Sequence, residues 1–138
     1  MKLKVLFVCT HNSCRSQIAE GLMNALLKEK YEAASAGTEP TKVNINAINT
    51  LREIGIDISL HYSKNVDEFK AADFDFVVTV CDSAQETCPY IPGARKIIHH
   101  SFNDPSNVSG TPKEIETAFR STRDEIKNWI LETFKISN

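Results

Sequence analysis

Cys9 and Arg15, with five residues between them in Val8-Cys9-Thr10-His11-Asn12-Ser13-Cys14-Arg15-Ser16, combine a sulfur nucleophile with a guanidinium. The apolar run Val5-Leu6-Phe7-Val8 ahead of them reads as a buried strand. From Ser16 to Glu29 apolar residues recur at helical spacing. A short loop from a strand end into a helix start can turn its backbone N–H groups inward, and the helix N-terminus adds positive potential. Arg15 supplies a planar fork for two oxygens at once. The chemistry predicted is the grip of a tetrahedral oxyanion by residues 10–16, with Thr10, His11, Asn12, Ser13, Cys14, Arg15 and Ser16 as its binding residues. Cys9, under that positive field, is expected as a thiolate aimed at the centre of the anion. An isolated cysteine ending a strand is ordinarily a small core residue; Arg15 at this spacing, with both flanking elements of the right kind, favours the nucleophile.

Two further groups could join this chemistry. Cys81 and Cys88, six residues apart in Cys81-Asp82-Ser83-Ala84-Gln85-Glu86-Thr87-Cys88-Pro89, follow an apolar β-branched run. They admit three readings: two ligands of a zinc site, two core cysteines, or a pair of exchanging thiols. Zinc would need His99-His100 to complete a tetrahedron, and adjacent histidines on a strand end point apart. Asp104-Pro105 is either the start of a turn or a carboxyl group able to protonate a leaving oxygen.

The elements that must position these residues alternate. Leu3 to Val8 is the first strand, and its helix turns Ile18, Leu22, Ala25 and Leu26 onto the sheet. Tyr31 to Ser35 is the second strand, closed by Ala36-Gly37. Asn46 to Ile54 is a helix with Ala47, Ile48, Leu51 and Ile54 inward and Gly55 as its stop. Phe74 to Val80 is a third strand and Ala94 to His99 a fourth. Thr111-Pro112-Lys113-Glu114 opens a last helix running to about Phe134, with Ile115, Phe119, Ile126 and Ile130 buried. This order predicts an α/β fold, a parallel sheet covered on both faces. Ligands in such folds bind at the carboxyl ends of the strands, where Cys9, Cys81 and Asp104 all fall.

The 138 residues predict a single domain over 1–138 with one ordinary core. Sixteen Lys and Arg against eighteen Asp and Glu give a formal charge of −2, which offers no electrostatic case for nucleic acid or an anionic membrane. The apolar runs are too short to span a bilayer, and Met1-Lys2-Leu3-Lys4 flows straight into a strand without a signal-peptide pattern. Four cysteines in such a chain point to a reducing cytoplasm and working thiols, and a monomer is expected.

Cys-x5-Arg-Ser directly after the first strand resembles the low-molecular-weight protein tyrosine phosphatase superfamily and, within it, the thioredoxin-coupled arsenate reductases. The resemblance covers nearly the whole chain. It implies a three-layer sandwich on a four-stranded parallel sheet of order 2-1-3-4. It also implies three cysteines working in sequence, matched here by Cys9, Cys81 and Cys88-Pro89, with arsenate as substrate and thioredoxin as reductant; no cofactor or metal is expected for this chain. Asp104-Pro105 matches the superfamily's general acid. Gln17 resembles the reductases, since the phosphatases usually carry proline there, and Ser106-Asn107-Val108 stands where phosphatases place aromatic residues. The competing reading is a phosphotyrosine phosphatase acting through Cys9, Arg15 and Asp104; a non-catalytic oxyanion or metal sensor is a third.

Two local expectations follow. His11 stands where many relatives carry glycine, so Asn12 is expected to take the left-handed conformation of the loop. Reductases of this kind resemble one another in holding potassium beside the loop. The matching positions here are Asn12, Glu20 and Ser35, with Lys64 in place of an aspartate; Lys64 is either a solvated surface side chain or an ammonium in the ion's place, pairing with Glu20 and bracing Asn12.

Overall fold

The computed structural model describes residues 1–81 and 91–134. Its sheet has four parallel strands, β1 (Leu3–Cys9), β2 (Tyr31–Gly37), β3 (Phe76–Thr79) and β4 (Ile97–His99), in the order β2-β1-β3-β4. The central strand β1 is apolar on both faces because both are covered. Val5, Phe7 and Cys9 face the main core with Ile18, Leu22, Phe119, Ile126 and Ile130. Leu6 and Val8 face a second cluster with Ala36, Phe74, Val77 and Ile91. The helices are α1 (Arg15–Leu26), α2 (Ile45–Arg52) and α3 (Pro112–Thr133). Phe119, Ile126 and Ile130 of α3 are almost wholly buried, each contributing roughly 2 kcal/mol of apolar burial.

The helix ends follow local chemistry. Thr111 caps α3 through Glu114 N–H while the Glu114 carboxylate accepts from Thr111 N–H, with Pro112 at the first turn. After α2, Gly55 at φ 82 lets its N–H reach Arg52 O (3.0 Å) and Ile56 N–H reach Leu51 O (3.0 Å), a Schellman stop. That stop turns Ile54 out to 38% exposure, against the inward position expected of it. In α1, Ile18 and Leu22 are buried as expected, but Ala25 and Leu26 are exposed. Ala19, Met23 and Leu27 complete the buried stripe instead, and the helix ends at Leu26, three residues before Glu29. β3 and β4 are shorter than expected because the ladder takes in only Phe76–Thr79 and Ile97–His99.

Register brings the strand ends to one rim: Cys9 pairs with Gly37, Val8 with Thr79, and Thr79 with His99. Cys81 lies two residues beyond the end of β3, buried in the same cluster as Cys9. Gly37 has no room for a side chain: a Cβ there would sit 2.5 Å from Thr10 O and 2.9 Å from Asn12 N. The end of β2 is thus pressed against the loop that follows β1.

Candidate active site

The loop from Cys9 to Arg15 turns its carbonyl groups away from its centre, each against a different part of the chain. Thr10 O accepts from Glu39 N–H (2.8 Å), His11 O from Thr41 N–H (3.2 Å), Ser13 O from Asn44 N–H (3.0 Å) and Cys14 O from Ile18 N–H (2.9 Å). Asn12 O accepts from Gln17 Nε2 (3.2 Å) and the Ser63 hydroxyl (2.8 Å). In a trans peptide the N–H of the next residue points opposite to the carbonyl, so the amides of residues 11–15 are directed to the other side. Asn12 is at φ 49, the left-handed conformation expected of it.

Beside the loop lies a cavity of about 230 Å³ lined by Cys9, His11, Ser13, Cys14, Arg15, Thr41, Asn44, Asp104 and Ser106. Cys9 is 2% exposed, with its Sγ 2.9 Å from Ser16 Oγ. Arg15, the first residue of α1, extends from the loop toward the segment after β4. Its Nη1 donates to Phe102 O (3.2 Å) and its Nη2 lies 3.5 Å from Asp104 Oδ2. The other Asp104 oxygen accepts from Ser106 N–H (3.0 Å) and the Ser106 hydroxyl (2.7 Å). Burial, with the Asp104 carboxylate adding to it, pushes the Cys14 thiol up to about 12. Cys14 is therefore held protonated, packed in the loop.

Behind the loop, Asn12 Nδ2 donates to Ser16 Oγ (2.8 Å) and Ser35 Oγ (2.9 Å), and the Ser35 hydroxyl donates to Glu20 Oε1 (2.6 Å). The Lys64 ammonium donates to Tyr62 O (2.9 Å) and lies 3.8 Å from Glu20 Oε1, so the expected pairing with Glu20 is present. Asn12 is braced by the backbone N–H of Lys64 (2.9 Å to Oδ1), not by its ammonium. This donor set does not suit a potassium ion, since an ammonium already neutralises the one carboxylate and would repel a second cation.

The structure brings Cys9, Arg15, Asp104 and residues 10–16 together, with Cys81 at the neighbouring strand end; Cys88 lies outside the described residues. His99 and His100 diverge: His99 Nδ1 is 2.7 Å from Thr79 Oγ1, whereas His100 stacks on Phe102 and Trp129. Among the described residues no three His, Cys, Asp or Glu side chains gather as a metal site. Sequence reasoning missed Ser106, whose hydroxyl fixes Asp104, and the segment His61 to Ser63 that buttresses the loop beside Lys64. An Asp-Pro-Ser turn is a legible signal for the first; nothing local marks the second.

The sequence profile described as low molecular weight phosphotyrosine protein phosphatase matches residues 4–134. A protein named arsenate reductase from Halalkalibacterium halodurans is 42% identical over 91% of this chain and 90% of its own length. Among solved structures, an arsenate reductase in the phosphate binding state superposes with a TM-score of 0.84 at 34% identity, over 99% of this chain and all of the other. A low molecular weight protein tyrosine phosphatase from T. tengcongensis superposes with a TM-score of 0.79 at 28% identity, over 97% and 99% of the two chains. The chain belongs to the low molecular weight phosphotyrosine protein phosphatase family, in its arsenate reductase branch.

Proposed function

We propose that this protein reduces arsenate to arsenite by a relay of three thiols and is recycled by thioredoxin. The observation that carries the reading is the cavity over Cys9: small, faced by Arg15 and Asp104, and without a Phe, Tyr or Trp wall among the described residues. Such a cavity suits a compact inorganic oxyanion better than an aryl phosphate.

Arsenate binds to the amides of residues 11–15, the Arg15 fork and the Ser16 hydroxyl. The Cys9 thiolate attacks arsenic, and the departing hydroxide leaves as water with a proton from Asp104. Cys81 then attacks the Cys9 sulfur. The sulfur–arsenic bond breaks with its electron pair going to arsenic, which leaves as arsenite, and Cys9 is joined to Cys81. Cys88 attacks Cys81, frees Cys9 and carries the disulfide to the Cys81–Cys88 pair, where an external dithiol returns two electrons. The substrate named for the curated relatives agrees with this reading.

Arsenite formation by the purified chain, with and without thioredoxin, its reductase and NADPH, tests it. Multiple turnovers with the complete system are expected, and none for Cys9→Ser. Substantial reduction by Cys9→Ser would end the assignment. Hydrolysis of an aryl phosphate with no thioredoxin-dependent arsenite would instead support the phosphatase reading through Cys9, Arg15 and Asp104.

A further inference from the structure

Gln17 is completely buried, and all of its polar capacity is spent on the loop and on the segment behind it. Its Nε2 lies 3.2 Å from Asn12 O, 3.0 Å from Asn12 Oδ1 and 3.0 Å from Tyr62 O. Two of these neighbours are backbone carbonyls, which only accept, so the amide orientation is fixed: the nitrogen faces Asn12 and Tyr62, and Oε1 faces His61. His61 Nδ1 is 3.0 Å from that oxygen. Because Oε1 can only accept, His61 Nδ1 carries a hydrogen. His61 Nε2 is directed at Glu20 Oε2, 3.6 Å away, a carboxylate shared with Lys64 and Ser35.

We infer that Gln17 and His61 are a positioning pair for the oxyanion loop. Left to itself, a non-glycine residue at φ 49 relaxes toward the right-handed region. Gln17 opposes this by holding both the backbone and the side-chain oxygen of Asn12. His61 in turn holds Gln17, by fixing the one atom of the amide that the loop does not use. The order of residues is therefore His61 to Gln17 to Asn12, and from Asn12 the peptide planes of the loop follow. Neither residue lines the cavity over Cys9; each acts by keeping the loop amides convergent before substrate arrives, so that no binding energy is spent on ordering them. The inference rests on the proposed loop reading and deepens it.

The test uses inorganic phosphate as the probe, with calorimetry for affinity and ¹⁵N–¹H long-range NMR for the His61 tautomer. In the parent, His61 is expected to carry its hydrogen on Nδ1; a predominant Nε2–H tautomer would overturn the inference without any variant. Gln17→Met, of similar volume but without donors, is expected to bind phosphate about tenfold more weakly and to release His61 to the Nε2–H form. His61→Gln, whose amide N–H still reaches Oε1, should retain most of the affinity that His61→Phe loses, a rescue that packing alone does not supply. Equal affinities for His61→Gln and His61→Phe would overturn the pairing. Failure of the loop reading looks different: phosphate affinity unchanged by Arg15→Lys undoes that reading, whereas Gln17→Met matching the parent while Arg15→Lys is defective overturns this inference alone.

Discussion

Arg15 and Asp104, 89 positions apart in the chain, face each other across the cavity with Nη2 3.5 Å from Oδ2. That separation exceeds the 2.7–2.9 Å typical of a closed charge-assisted hydrogen bond. The guanidinium is thus oriented by Phe102 O and Asp104. Ser106 occupies Oδ1, which leaves Oδ2 as the Asp104 oxygen on the Arg15 side.

Asp104→Asn keeps the shape and the Ser106 contacts but cannot donate a carboxyl proton. Its kcat for arsenate is expected to fall by ~10²–10⁴-fold while phosphate affinity stays within a few-fold of the parent's. An unchanged kcat in steady-state assays would remove Asp104 from the chemistry.

The relay separates in single-turnover mass spectrometry. Cys88→Ser should release about one arsenite per chain and stop with Cys9 joined to Cys81, because the second exchange has no attacking thiol. Cys81→Ser should stall before arsenite is released. Parent-like turnover of Cys88→Ser with thioredoxin would show that three cysteines are not required.

Lys64 makes the chain's response to cations predictable. Its ammonium is paired with Glu20 and lies 4.9 Å from the centre of the Tyr62 ring. Activity and melting temperature should be the same in potassium and sodium chloride at equal ionic strength. Lys64→Asp exchanges the ammonium for a carboxylate beside Glu20 and should create a potassium response. A potassium-specific rise in the parent's melting temperature would contradict this.

Acid should loosen the tie between α2 and α3. Glu53 accepts from Arg120 Nε (2.9 Å) and from Arg123 Nη1 (2.9 Å), and these guanidiniums lower its pKa from 4.5 to about 2. A carboxylate depressed on folding stabilises the native state fully above its unfolded pKa and progressively less as pH falls through the folded one. The melting temperature of Glu53→Gln should therefore lie below the parent's at pH 6 and converge with it toward pH 2. Because the site is exposed, added salt should shrink the gap at pH 6. A gap independent of pH would assign the effect to packing.

The sequence by itself determined whatever depends on neighbours along the chain. The apolar run into Cys9, the Thr111–Glu114 capping box and the Gly55 stop are local, each set within a few residues by sterics or one hydrogen bond. Cys9, Arg15 and Asp104 were legible for the same reason, since strand ends in a parallel sheet share a rim. Only the tertiary structure decided that Arg15 would reach Phe102, 87 residues on, that Gln17 would close on Asn12, and that Lys64 would brace Asn12 through its backbone N–H rather than its ammonium. It also turned Ile54, Ala25 and Leu26 outward where periodicity had them inward. These outcomes depend on where separate elements come to rest against one another, and a buried amide or ammonium selects its partner from the groups that packing delivers to it.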